Sequence, residues 1–320
     1  MLKEKWREYR RQKKLQQLES VASEYSRIKK PTNVLFNIIL TILSLISIVP
    51  FIFVIIISFT DENSLAMNGY RFIPEKWSTH AYSYILESGE SILRSYGITI
   101  LVTVLGTVIG LLLISTYAYA LSRKTYAYRS FFTKVITIPM LFSGGMIANY
   151  LIVTKVLMLK DTIWALILPL CMNSFNIIVL RTFFKTSIPD AVVESAKIDG
   201  ASEWRLFFKI VIPMALPGLA TIGLFLTLGY WNDWFNAMMY IDNQDLIPLQ
   251  YLLIKIESSM DFLISNKAMM GVDGITAAAN LPKETIKMAI IVISTLPIIF
   301  AYPFFQRYFV NGLTIGAVKE

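Results

Sequence analysis

Six stretches of this chain carry no charge over roughly the length needed to cross a bilayer: 31–60, 95–122, 135–154, 162–180, 210–232 and 288–306. A helix needs about 20 residues to traverse about 30 Å of hydrocarbon. A charge held at mid-bilayer costs several kcal/mol, so charged residues mark the edges of such spans. Composition agrees, with 55% apolar and only 16% charged residues, outside the range of ordinary soluble domains. The chain therefore reads as an all-α polytopic membrane protein with six transmembrane helices, at about 33–59, 95–121, 135–156, 162–182, 210–234 and 287–307. The apolar run Leu249–Ile254 is too short to cross.

The distribution of Lys and Arg orients the spans. With a cytoplasmic N terminus, the inside segments 1–30, 123–134, 181–209 and 307–320 hold 21 of the 30 basic residues. They hold 9 of the 22 acidic ones. That asymmetry predicts N-in, C-in topology in the cell membrane. Residues 1–30 form a basic cytoplasmic arm, with ten Lys or Arg against four Glu, and residues 31–320 form the transmembrane domain. The arm is too long and too charged for a signal peptide, and no small-residue cleavage site closes the apolar run, so the first span is expected to remain as an anchor. The arm reads as a solvated or headgroup-touching helix rather than a nucleic-acid binder.

A single cysteine, Cys171, and a single histidine, His80, exclude an intramolecular disulfide and any Cys- or His-clustered metal site within the chain. Cys171 reads as a small buried hydrophobe and His80 as a loop residue. No cofactor is expected, and no internal repeat is visible. Two outside loops are long enough to matter. The first, Asp61–Leu93, reads as an interfacial lid with a short helix. The second, Asp242–Lys287, reads as a helix to Leu263 followed by a flexible finger rich in Gly and Ala (Gly271, Gly274, Ala277 to Ala279).

Between the fourth and fifth spans lies a polar insert, Pro189-Asp190-Ala191-Val192-Val193-Glu194-Ser195-Ala196-Lys197-Ile198-Asp199-Gly200. Pro189 suits the first turn of a helix, where its missing N–H costs nothing. Gly200 suits a left-handed C-terminal residue. Ser202 can cap a second helix with Glu203 in its first turn, running to an interruption at Pro213. Small residues at Ala191, Ser195 and Ala196 let another backbone approach closely, and Glu194, Lys197 and Asp199 offer charge. Nothing in the insert resembles a nucleophile, a partnered base or a metal cluster, so the chain is not expected to be an enzyme.

Glu194, Ala196, Gly200, Ile210, Ile212 and Pro213 match a spaced signature: a Glu-Ala-Ala-like triplet, Gly four residues after its last Ala, and Ile-x-Leu-Pro nine residues further on. The departures are Ser195 for the central Ala and Ile212 for Leu. On these residues the chain resembles the importer permeases of the ATP-binding cassette family, over about residues 31–320. Ser187-Ile188-Pro189, the cluster Tyr230-Trp231-Asn232-Asp233-Trp234-Phe235-Asn236 and the tail Tyr308–Lys319 are similar to those of carbohydrate-uptake permeases of the maltose type, in the oligosaccharide branch. The resemblance implies a heterodimer with a second homologous permease, two ATP-binding subunits at the cytoplasmic face and an extracellular solute-binding protein. It also implies that the insert, with Glu194, Ser195, Ala196, Asp199, Gly200, Ile210, Ile212 and Pro213, is the helix that docks in a cleft of the ATPase.

The fifth-span cluster is the candidate substrate path. Aromatic faces stack on sugar rings, and amide or carboxylate side chains bond hydroxyls, which selects Tyr230, Trp231, Asn232, Asp233 and Asn236. Asn173, with Ser174 and Asn176, forms a second set. A competing reading makes the aromatics interfacial anchors and the polar residues interhelical hydrogen bonds. Gly97, Gly106 and Gly110 read as packing positions, and Gly144-Gly145 beside Pro139 as a bend. Function divides into three classes: an oligosaccharide permease, a permease of the same machinery for an amino acid or peptide, and a non-transporting scaffold or sensor.

Overall fold

The uncharged runs form helices in the computed structural model, which describes residues 30–87, 89–142, 144–265 and 283–317. The basic arm before Lys30, the Gly- and Ala-rich finger and the last three residues of the tail lie outside the described residues. Among the described residues the only β pairing is an antiparallel bridge between Thr60 and Trp77. The chain divides into two units, residues 1–56 and 57–320.

The described part of the first unit belongs to helix α1, Lys30–Ser58. It is apolar on every face, as a helix solvated by hydrocarbon must be. Ser44 and Ser47 donate back to the carbonyls of Leu40 and Leu43, so neither hydroxyl is left unpaired in an apolar run.

In the second unit, short helices α2 (Glu62–Asn68) and α3 (His80–Glu87) precede α4, Gly89–Ser122. His80 thus opens a helix rather than sitting in a loop. The helix α4 starts two turns before the expected edge at residue 95, because Arg94 ends an uncharged run without ending the helix. Its buried seam, Thr99, Thr103, Gly106, Gly110, Ile114 and Ala118, repeats every three or four residues. A Cβ at Gly106 would lie 2.4 Å from Cζ of Tyr230, and one at Gly110 would lie 2.9 Å from the Cys171 carbonyl oxygen. These two glycines are packing positions, the small-residue contact expected between helices in lipid. Gly97 is not, since a Cβ there would meet nothing within 4 Å.

The expected third crossing is divided. Helix α5 covers Arg129–Leu141 and α6 covers Gly145–Leu151, continuing as a π-helical turn over Ile152–Val156. Gly145 takes φ +79° at the start of α6, so the chain does break where the glycine pair predicted. The expected fourth crossing is also two helices, α7 (Ile163–Cys171) and α8 (Ser174–Ser187), bent by 49°. The Asn173 side chain accepts from the N–H groups of Phe175 and Asn176 there, which starts α8 afresh inside an apolar run.

After α9 (Asp190–Ile198) come α10 (Glu203–Leu206), a π-helical turn over Phe207–Val211 and α11 (Ile212–Met214). This segment then bends by 83° into α12, Leu216–Trp231. The interruption falls at Ala215 rather than at Pro213. Pro217 cannot donate to the Pro213 carbonyl and its ring crowds that turn, whereas Pro213 sits in the first turn of α11. The uncharged run 210–232 is therefore not one straight helix: the segment Glu203–Met214 lies nearly perpendicular to α12. Helix α13 (Phe235–Tyr240), α14 (Leu249–Ser265) and α15 (Lys283–Ala317) complete the chain. Three helical segments, Pro31–Ser58, Gly89–Ser122 and Lys283–Pro303, are long and apolar enough to cross a membrane, and the two bent pairs raise the number to as many as five.

One core joins α4, α7, α8 and α12 to the insert, with Ile114, Leu166, Leu180, Phe184 and Ile222 among its fully buried side chains. A second gathers α3, α14 and α15 around Trp231 and Leu249. Glu62 fastens the start of α15: its carboxylate accepts from the N–H groups of Glu284 and Thr285 and from the Thr285 hydroxyl. A carboxylate at a helix N-terminus meets both unbonded N–H groups and a favourable dipole.

Candidate functional site

The insert folds as its residue types dictate. Pro189 immediately precedes the first residue of α9. At the other end Gly200 adopts φ +77°. Its N–H donates to the Lys197 carbonyl and that of Ala201 to the Ala196 carbonyl, the paired closure that a left-handed residue permits. Ser202 then accepts from the Arg205 N–H and starts α10.

Val193 and Ala196 turn inward, joining Leu206, Phe207 and Val211 against Phe184 and Tyr119. Glu194, Ser195, Asp199 and Gly200 face outward, while Ile210 and Ile212 are half-buried beside the same core and Pro213 is exposed. Polar contacts tie the insert to the end of α4. Lys197 pairs with Glu203 at 2.6 Å, and the Tyr119 hydroxyl donates to Glu203 at 3.2 Å. Arg123 lies 5.1 Å from the centroid of the Tyr119 ring, and Lys124 pairs with Asp190 at 3.2 Å. The Lys197 ammonium beside Glu203 holds its carboxyl below the usual range. The insert is thus a stiff knob anchored to the longest helix of the core.

Its outer surface is more apolar than the sequence reading allowed. Ile198 is 86% exposed and Trp204 68% exposed. Trp204 stacks on Phe208 with centroids 6.0 Å apart. A helical pair at i and i+4 flanking the buried Leu206 and Phe207 is the signal that could have found them. Four bulky apolar residues among five give more than one buried face can absorb.

The fifth-span cluster divides. Tyr230 is buried, with its ring over Gly106 and its hydroxyl donating to the Ile167 carbonyl at 2.8 Å. Trp231 is buried and donates from Nε1 to the Ser294 carbonyl at 3.0 Å. Asn232 closes α12, donating to the Leu228 carbonyl. Asp233 accepts from the backbone and side-chain N–H groups of Asn236. Asn173, exposed, caps α8. Of the set, Asn236 and its neighbour Phe235 line a cavity of about 490 Å³, together with Asn149, Leu168, Pro169 and Tyr240. Tyr150 stacks on Tyr240 at 6.2 Å. Asn149 and Tyr240 went unread because nothing in a linear pattern joins α6 to α13.

A tight loop walls this cavity. Met158 and Asp161 both take positive φ, +53° and +58°. Asp161 accepts from the N–H groups of Asp242 at 2.6 Å and Asn243 at 2.8 Å, and its own N–H donates to the Tyr240 carbonyl. The Asn243 and Asp242 N–H groups hold the Asp161 carboxyl below its ordinary value. Lys160 pairs with Asp242 at 2.6 Å.

Comparison with known proteins accounts for this combination of membrane helices and an anchored knob. Residues 106–315 match the family described as binding-protein-dependent transport system inner membrane component. The chain is 41% identical over 274 residues to Protein LplC of Bacillus subtilis (strain 168), a match spanning 86% of this chain and 90% of LplC. It is 40% identical over 280 residues to the polygalacturonan/rhamnogalacturonan transport system permease protein YtcP of the same strain, spanning 88% of this chain and 95% of YtcP. Among solved structures, it is similar to a chain of a bacterial ABC transporter involved in the import of the acidic polysaccharide alginate. That match has TM-score 0.70 and 32% identity over 89% of this chain and 99% of the other. The helical membrane body, the knob and the two thirds of the chain that the family match spans give one conclusion: this chain belongs to the family of binding-protein-dependent transport system inner membrane components.

Proposed function

We propose that the chain is the transmembrane permease subunit of an ATP-driven importer that moves oligosaccharide delivered by an extracellular binding protein. The observation that carries the reading is the knob. Its buried face and the Tyr119–Glu203 hydrogen bond fix it to α4, while Glu194, Ser195, Asp199 and the exposed Ile198, Trp204 and Phe208 are left for a partner. Such a knob converts movement of an attached subunit into rigid-body rocking of the helices that hold it. In this reading the knob is cytoplasmic and seats in one of two ATP-binding subunits. A second homologous permease completes the pathway, six crossings run N-in and C-in, and the chain itself catalyses no hydrolysis.

On the substrate side, the cavity lined by Asn149, Asn236 and Tyr240 combines amides with an aromatic face, the chemistry that holds sugar rings. Tyr230 and Trp231 do not line it and act as helix-packing residues. YtcP is named for polygalacturonan, and the similar solved structure imports alginate. Fragments of acidic polysaccharides therefore head the list of substrates.

The experiment is titration of the partner binding protein against neutral and uronate-containing oligosaccharides, amino acids and peptides. It is followed by uptake in vesicles holding the whole complex. Saturable oligosaccharide binding with ATP-dependent uptake is expected. Binding of an amino acid or peptide alone replaces the sugar reading, and full activity of the complex without an ATP-binding subunit rejects the importer.

A further inference from the structure

The last long helix, α15, contains Pro297 in its membrane-crossing part. Proline has no N–H, so the carbonyl four residues earlier, that of Ile293, has no helical donor, and the ring loosens the turn around it. Unsatisfied carbonyls are expensive in hydrocarbon, where no water can replace the missing bond. Here two other helices supply donors. The Tyr96 hydroxyl of α4 donates to the Ile293 carbonyl at 2.7 Å. One residue on, the Ser294 carbonyl accepts the indole N–H of Trp231, at the end of α12, at 3.0 Å. The two donor rings lie against each other with centroids 6.3 Å apart. A single proline joint is thereby latched to two further membrane helices.

Beside the joint lies a pocket open to the surface, with Ile100, Val104 and Tyr302 half-exposed along it. A cavity of about 200 Å³ is lined by Thr103, Thr227, Trp231, Pro297, Ile298 and Tyr302. The Thr103 hydroxyl is the one buried side-chain polar atom without a hydrogen-bond partner among the described residues.

We infer that Tyr96 and Trp231 are positioning residues for transport. They clamp the proline joint of α15 in the present conformation and release it into the adjoining cavity when the helices rock to the opposite-facing state. Two discrete arrangements separated by two hydrogen bonds give the switch its bistability, with each bond worth a few-fold in the equilibrium. The inference rests on the importer reading for its meaning, but its test does not need a known sugar.

The test is backbone hydrogen exchange over residues 293–301 in the full complex, with and without ATP under conditions that trap the bound nucleotide. Uptake per ATP hydrolysed is measured in parallel. In the wild type, ATP is expected to speed exchange in this segment. Tyr96→Phe removes one donor and keeps the ring. It should speed nucleotide-free exchange roughly threefold to tenfold, erase most of the ATP-dependent difference and lower uptake per ATP. Trp231→Phe should act in the same direction. Pro297→Ala restores an N–H for the Ile293 carbonyl, so Tyr96→Phe should add nothing in that background. If Tyr96→Phe alone does not assemble, the double variant should, and its failure to do so counts against the latch. Exchange that ignores ATP overturns the inference. So does equal loss from Tyr96→Phe with or without Pro297→Ala, or faster exchange with unchanged uptake per ATP. A complex that imports no oligosaccharide, yet passes the exchange cycle, rejects the sugar reading and leaves the latch standing.

Discussion

At the residue scale, Glu203 links the two helices of the knob to each other and to α4, because it accepts from Lys197 on one side and Tyr119 on the other. Lys197 holds its carboxyl below the ordinary range. A carboxyl whose folded value is depressed stabilises the fold at every pH above its unfolded value and stops doing so as pH falls through the folded one. The tether is therefore intact at neutral pH and released only below the ordinary glutamate value of about 4.3. Melting curves of the complex at pH 7 and pH 4 should show a larger acid loss for the wild type than for Glu203→Gln, and equal losses would contradict the tether. Residue-level chemistry of this kind was partly legible in the sequence. Gly200 and Ser202 announced their turn and cap because both act on their own backbone. Glu203 was read only as a first-turn residue, since its partner Tyr119 is 84 positions away. Tyr230 and Trp231 were read as sugar-facing because an aromatic beside Asn and Asp has the same composition whether it lines a path or braces a helix.

At the element scale, the pattern of charges reported how much chain is uncharged, and nothing about its direction. The run 210–232 is continuous in sequence but contains an 83° bend, and 162–180 hides a 49° bend at Asn173. Caps and prolines inside apolar runs carried that information: one bend falls at the capping Asn173, the other at Ala215 between Pro213 and Pro217. The π-helical turns left no trace, because they change hydrogen-bond register without changing composition. The loop from Met158 to Asp161 is held by a device equally silent in sequence, a carboxylate in a left-handed residue accepting two distant N–H groups. Asn tolerates that backbone and keeps an acceptor, whereas Ala does neither well. Exchange of the Asp242 and Asn243 amides should accelerate in the order wild type, Asp161→Asn, Asp161→Ala. An Asp161→Ala protein with unchanged exchange would remove the staple from the account.

At the scale of the whole molecule, apolar side chains fill the core and also cover the outside of the membrane helices. Membrane helices are apolar outside, and their contacts depend on small residues such as Gly106 and on side-chain hydrogen bonds rather than on hydrophobic burial alone. The knob between α8 and α12 exposes both charged and apolar side chains, and in the proposed reading it receives work done by ATP elsewhere. The most direct measurement is sugar-stimulated ATP hydrolysis and uptake by the purified complex in vesicles carrying Glu194→Ala, an exposed position whose loss disturbs no core contact. The account predicts a complex assembled at wild-type levels in which binding protein and oligosaccharide no longer raise hydrolysis, with uptake reduced by roughly tenfold or more, the loss of one charge-assisted contact at the docking surface. Wild-type stimulation and uptake in that variant, and again when Gly200→Ala distorts the turn behind it, would contradict it.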